Sequence, residues 1–209
     1  ALSRRAGLIW FLIWFALALI GSWFLNPTIV VVLISAALLE VLYCQLHKVT
    51  YWRILVSGLV KSGGPMAAVL MVDPSPGLLR LLPLFAWVFL WEVGGQNIPA
   101  DWNDTEEDRR LDAKTIPLQL GFKAAGQISL TALSLSMLIS LTLSQISPAD
   151  LGWLYWSGAL TAGFILLLRP AWRLYRNRED ERLSARLFDR ASWYPLAMLV
   201  TASLIIIIR

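Results

Sequence analysis

Six of the chain's 14 carboxylates fall within twelve residues: Asp101, Asp104, Glu106, Glu107, Asp108 and Asp112. On a continuous helix at about 100° per residue, Asp101, Asp104, Asp108 and Asp112 share an arc of about 80°, and Asn97 projects the same way one turn earlier. Glu106 and Glu107 point elsewhere. Four like charges on one face repel unless something cationic neutralises them. Two neutralisers fit this spacing. Arg109, Arg110 and Lys114 can pair with the acids in a solvated loop, at little net gain. Alternatively the stripe holds Mg²⁺, a hard ion that takes carboxylate oxygens and bridges to substrate phosphates, leaving coordination positions for a diphosphate.

The elements that must position this stripe are apolar. The 209 residues are 57% hydrophobic and 15% charged, with a mean hydropathy of +0.63; soluble domains run about 45–50% and about 25%. Disorder is excluded, and one cysteine, Cys44, excludes a disulfide scaffold. Seven segments approach the roughly 20 apolar residues a membrane-spanning helix needs: 7–25, 28–46, 54–72, 78–96, 122–145, 151–168 and 192–208. Asn26-Pro27, Asp73-Pro74-Ser75-Pro76-Gly77 and Ser147-Pro148 break them with turn chemistry. The expected fold is an all-α, polytopic integral membrane helical bundle, one domain over 1–209.

Alternating spans put 15 of the 18 basic residues on one side, with the acidic segment; Arg80 and Arg209 fall opposite and Lys61 within a span. The positive-inside rule makes the crowded side cytoplasmic. The net charge of +4 is thus a topology signal, and no nucleic-acid partner is expected. Trp52, Trp102, Trp172 and Trp193 mark one interface, and Trp23, Trp153 and Trp156 the other. The arginines at 178, 182, 186 and 190 recur at i, i+4 and suit anionic headgroups. Glu40, Lys61 and Glu92 lie inside spans, where a charge costs about 2.5–3.5 kcal/mol on insertion scales. Lys61 either pairs with one of these glutamates or faces a cavity. Tyr43 is a candidate for the cavity wall, His47 for an interfacial position, Cys44 for a small buried apolar residue. Gly94-Gly95 and Pro99 predict a kink or local unwinding just before the acids.

Residues 97–121 resemble the second aspartate-rich motif of the UbiA-type intramembrane prenyltransferases, D-x-x-D-x-x-x-D followed by basic residues and K-T-x-P-x-x-x-G. Asp101, Asp104, Asp108, Lys114, Thr115, Pro117 and Gly121 match it. Tyr43-Cys-Gln-Leu-His-Lys48 with Trp52 and Gly58, and Leu187-Phe-Asp-Arg-Ala-Ser-Trp-Tyr-Pro195, resemble other stretches of the family. Asp112 departs from it, since many members have glycine there. The resemblance implies a nine-helix fold, of which this chain carries seven spans. The family's first motif, N-D-x-x-D-x-x-x-D, has no counterpart upstream of Asn97. With Ala1 at the start, this predicts an N-terminally truncated chain, inactive alone.

The resemblance further implies Mg²⁺-dependent transfer of a polyprenyl group from a prenyl diphosphate to an acceptor, usually aromatic, in a bacterial inner membrane. Asp104 and Asp108 would be the catalytic metal ligands, with Asp101 a third. Asn97, Arg109, Lys114, Tyr43 and Lys61 would bind substrate. The acceptor stays open among 4-hydroxybenzoate, haem, a naphthoate, a chlorophyllide and a lipid glycerophosphate, in quinone, haem or other isoprenoid biosynthesis. Two rival readings are a phosphatidyl-group transferase, whose D-G-x-x-A-R signature is missing, and a cation transporter or channel. The latter would carry its acids near the bilayer midplane, rather than beyond a span end.

Overall fold

Asn26 and Pro27 turn the first apolar run back on itself. Helix α1 (Arg4–Leu25) stops where Asn26 becomes extended, and Pro27 takes the first position of α2 (Pro27–Leu46). A proline there loses no helical hydrogen bond. Asn26 Oδ1 accepts the Thr28 N–H at 2.9 Å, while its Nδ2 donates to the Leu70 carbonyl at 2.8 Å. One side chain thereby caps α2 and fastens it to the far end of α3 (Arg53–Val72). Beyond α3, Asp73 accepts hydrogen bonds from the Ser75 N–H and from Arg80, and the chain re-enters as α4 (Leu78–Trp91). This computed structural model describes residues 3–149, 151–180 and 182–208; Arg209, Ala1 and Leu2 lie outside them.

Short helices α5 (Ile98–Asn103) and α6 (Thr105–Arg110) carry the acids. The long α7 (Ile116–Ile146) follows, then α8 (Gly152–Ala162), α9 (Arg169–Arg176), α10 (Arg182–Ser192) and α11 (Tyr194–Ile208). No strand occurs among the described residues. Six helical stretches there are long and apolar enough to cross a membrane: Arg4–Leu25, Pro27–Leu46, Arg53–Val72, Leu78–Asn103, Ile116–Ile146 and Arg182–Ile208. The seventh expected span, 151–168, is helical from Gly152 onward but is not among the six. Trp153, Tyr155, Trp156, Ser157 and Thr161 dilute its apolar character. Tyr155 is buried and donates to the Ser140 carbonyl of α7 at 3.0 Å.

Helix α7 is the central post. It buries Ser129, Ser136 and Ser140 along one side, and small residues let neighbouring backbones come close. Ser129 donates to the Gly94 carbonyl, and Ser136 to the Trp87 carbonyl at 3.0 Å. Its backbone kinks at Gly121, which sits at φ 80°, ψ 162° and divides a first helical turn from Ile116 from the long run that starts at Phe122. That conformation is essentially restricted to glycine.

The expected kink at Gly94-Gly95 takes another form. The chain does not unwind; it widens into one π turn, Glu92–Asn97, between α4 and α5. Pro99 cannot donate the N–H that an α-helix requires there, and the wide turn absorbs the mismatch. The Gly95 carbonyl accepts from Gln96 Nε2 at 3.1 Å. A Cβ on Gly94 would come within 2.9 Å of the Ser129 carbonyl oxygen and of Ala132, so glycine sets how tightly this turn meets α7. Cys44, expected to be buried, is exposed, because α2 packs mainly against α3 and α1 and leaves its outer face uncovered.

Candidate functional site

A cavity of about 670 Å³ opens between α2, α3, α4 with its π turn, and the α10–α11 junction. Helical period explains its polar lining. Ser57, Lys61 and Pro65 recur every four residues along α3, and Glu40 and Tyr43 lie three apart on α2. Trp87, Trp91 and Phe188 supply aromatic faces. All three in-span charges, Glu40, Lys61 and Glu92, face this one space. Lys61 has no carboxylate within ion-pair distance among the described residues and lines the cavity beside Glu92. The π turn brings Glu92 and Asn97 onto one face, and Asn97 Nδ2 donates to Glu92 Oε1 at 3.0 Å.

Arg53 links this cavity to the acids. It opens α3, four residues before Ser57, and is only 6% exposed. Its Nη1 donates to the Tyr43 hydroxyl at 3.0 Å, and its Nη2 to Asp101 Oδ1 at 3.0 Å. The guanidinium also lies 5.1 Å from the Tyr43 ring centre. Sequence reasoning missed Arg53, treating it as one more interfacial basic residue. The i+4 stripe through Ser57 and Lys61 was the signal that could have found it.

The four aspartates do not share one helical face. The helix breaks at Asp104 (φ −95°, ψ 12°) between α5 and α6, and ends at Leu111. Asp104 is exposed and Asp108 is buried, its Oδ2 without a hydrogen-bond partner. Burial pushes the Asp108 carboxyl above its ordinary value; Arg53 and His47 oppose that rise, while Asp104 and Glu107 add to it. Asp112 lies outside the helix in the left-handed region, φ 55°. Its Oδ1 accepts from Lys114 Nζ at 2.8 Å, which holds its carboxyl below the usual range. Left-handed backbone favours glycine and tolerates aspartate, which accounts physically for glycine being an alternative there.

Packing fixes the acidic segment on both sides. Trp102 stacks on Phe122 with ring centres 4.8 Å apart, and the Lys114 N–H donates to the His47 carbonyl at 2.9 Å. Thr105 Oγ1 donates to the Trp102 carbonyl at 2.7 Å. The structure therefore brings Tyr43, Lys61 and Asn97 into one cavity, with Asp101 joined to its wall through Arg53. It does not bring Asp104, Asp108, Arg109 or Lys114 into the lining. Arg109 is exposed, 3.9 Å from Glu106, and Lys114 is taken by Asp112.

An apolar helical bundle with six helices able to cross a membrane and a polar-lined cavity beside an acidic segment defines a class: an all-helical integral membrane protein. The chain belongs to the UbiA prenyltransferase family, whose model matches residues 1–204. Membership implies prenyltransferase activity, with prenyl diphosphates and aromatic acceptors as the family's general substrates. Comparison with curated proteins and with solved structures returned no match.

Proposed function

We propose that the chain transfers a polyprenyl group from its diphosphate to an aromatic acceptor within the membrane, with Mg²⁺ as cofactor and the acidic segment on the cytoplasmic side. The observation that carries this reading is the cavity wall joined through Arg53 to an acidic segment with an orphaned carboxylate oxygen, Asp108 Oδ2. A buried acceptor without a partner is costly unless a cation satisfies it. Among the described residues, no three His, Cys, Asp or Glu side chains form a ready metal cage. Asp101, Asp104 and Asp108 are thus not gathered into one three-carboxylate site, and a Mg²⁺ here would be held by one or two carboxylates plus substrate phosphates. Asp104 and Asp108 would hold the ion, with Asp101 supporting them from its ion pair with Arg53. A Mg²⁺ held there would supply positive charge opposite the departing diphosphate.

The chain's own residues do the remaining work. Lys61 offers a positive charge from the cavity wall to the diphosphate. Tyr43 and the Glu92–Asn97 pair orient the acceptor's polar groups. Trp87, Trp91 and Phe188 turn π faces toward an allylic cation and keep water from it. The test is Mg²⁺-dependent binding of a non-reacting prenyl-diphosphate analogue to wild type and to Asp104→Ala/Asp108→Ala. Loss in the double variant is expected; equal binding by both removes these residues from the mechanism.

A further inference from the structure

A second polar pocket, about 270 Å³, lies between α9 and α10. Arg169 and Arg173, one turn apart on α9, face Arg186 and Arg190, one turn apart on α10, above Ile165 and Leu183. All four arginines are exposed. None has a carboxylate within ion-pair distance among the described residues, although Glu179, Asp180 and Asp189 are close in sequence. Four guanidiniums around one small space repel one another unless an anion occupies it. Their planar forks favour phosphate oxygens, taken two at a time.

This pocket is separate from the large cavity. Phe188 lines that cavity, and Arg186 and Arg190 each stand about 160° away from it around α10. The arginines of the sequence stripe part company accordingly. Arg186 and Arg190 enter the pocket with two partners from α9, while Arg178 donates to the Tyr175 carbonyl instead.

The depth of the pocket points to the source of the phosphate. It sits where the apolar run 152–168 closes and the Arg182–Ile208 span opens. Trp172 and Trp193 stand exposed at the same level, and Arg176 stacks 5.2 Å over the Trp172 ring. Exposed tryptophans beside arginines at a span end mark headgroup depth. We infer that Arg169, Arg173, Arg186 and Arg190 form a binding site for the phosphate of an anionic phospholipid headgroup, which bridges α9 to α10.

The test uses the full chain in a neutral detergent, with short-chain phosphatidylglycerol as probe and lipid adducts counted by native mass spectrometry. Wild type is expected to retain phosphatidylglycerol and not phosphatidylcholine. Arg169→Gln/Arg190→Gln is expected to weaken retention by about 25-fold, roughly fivefold for each arginine near an anionic surface. Arg4→Gln/Arg5→Gln, at the start of α1, should retain the lipid as wild type does. Should the first double variant fail to fold, Arg186→Gln alone is read the same way, with an expected loss of about fivefold. Equal loss in the Arg4/Arg5 variant, or equal retention of phosphatidylcholine, overturns the site. Displacement of the lipid by inorganic phosphate at matched concentration also overturns it, in favour of a soluble anion.

Discussion

Arg53 and Asp101 form an ion pair at 3.0 Å, with side chains 8% and 15% exposed, across 48 residues of sequence. The Tyr43 hydroxyl accepts from the same guanidinium. Charge from α3 is thus spent on the residue that starts the acidic segment, and Tyr43 registers the pair against the cavity wall.

Breaking one side of such a pair leaves a charge stranded. Arg53→Met is expected to lower stability by about 3–5 kcal/mol, and Arg53→Met/Asp101→Leu by much less. Unfolding by dodecyl sulfate in mixed micelles, run as a double-mutant cycle, reads the difference. Equal losses in the single and double variants would show that the pair contributes only packing.

Burial raises the Asp108 carboxyl, so the folded chain holds that proton more tightly than the unfolded chain does. The stability this confers on the Mg²⁺-free protein is present at low pH and falls away as pH climbs above the ordinary carboxylate value of about 3.9. Mg²⁺ competes with the same proton. Mg²⁺ affinity should therefore rise with pH, and Asp108→Asn should make that rise shallower. The same variant should melt higher than wild type in chelator at pH 7. Thermal-shift titrations of Mg²⁺ from the ordinary carboxylate value of about 3.9 upward test both statements, and a pH-independent affinity in wild type would refute the first.

Asp112→Gly removes a side chain from left-handed backbone and releases Lys114. The exposed pair it breaks is worth little. The variant is expected to melt above wild type and to bind the diphosphate analogue at least as tightly. A lower melting temperature would mean that the Lys114 contact holds the loop.

Gly94→Ala drives a Cβ to within 2.9 Å of the Ser129 carbonyl oxygen and Ala132. Overpacking of this kind costs about 1–3 kcal/mol. Gly64→Ala, which meets nothing within 4 Å, is the matched control in the same sulfate titration. Equal stability of the two variants would show that α4 and α7 yield freely here.

The spans and the acidic segment were legible because their signals are local. Apolar runs bounded by Asn26-Pro27 and by Asp73 through Gly77 mark helices without tertiary information, whereas the start of α7 at Ile116, six residues before the expected 122, was hidden by its kink at Gly121. The site's internal arrangement was less legible. A continuous helix through Asp101 and Asp112 assumed that nothing bends the chain at Asp104, yet Trp102 packing on Phe122 and the Lys114–His47 backbone bond fix a different path. The Arg53–Asp101 pair depends on α3 meeting α5, which no spacing within either helix reveals. Likewise Gly94-Gly95 announced a departure from α geometry, but the choice of a wide turn was settled by Pro99 and by the approach of α7.

The wide turn at Glu92–Asn97 acts as a phase shifter. It inserts one residue into a helix without changing that helix's course, so everything downstream is rotated by about 100° relative to an uninterrupted α-helix. Asp101 faces Arg53 because of that offset. Deleting Gly95 alone would restore ordinary winding and keep every acidic side chain, yet aim the acids at a different neighbour. The chemistry here is written partly in the count of residues between Trp91 and Asp101, where a substitution scan would not detect it.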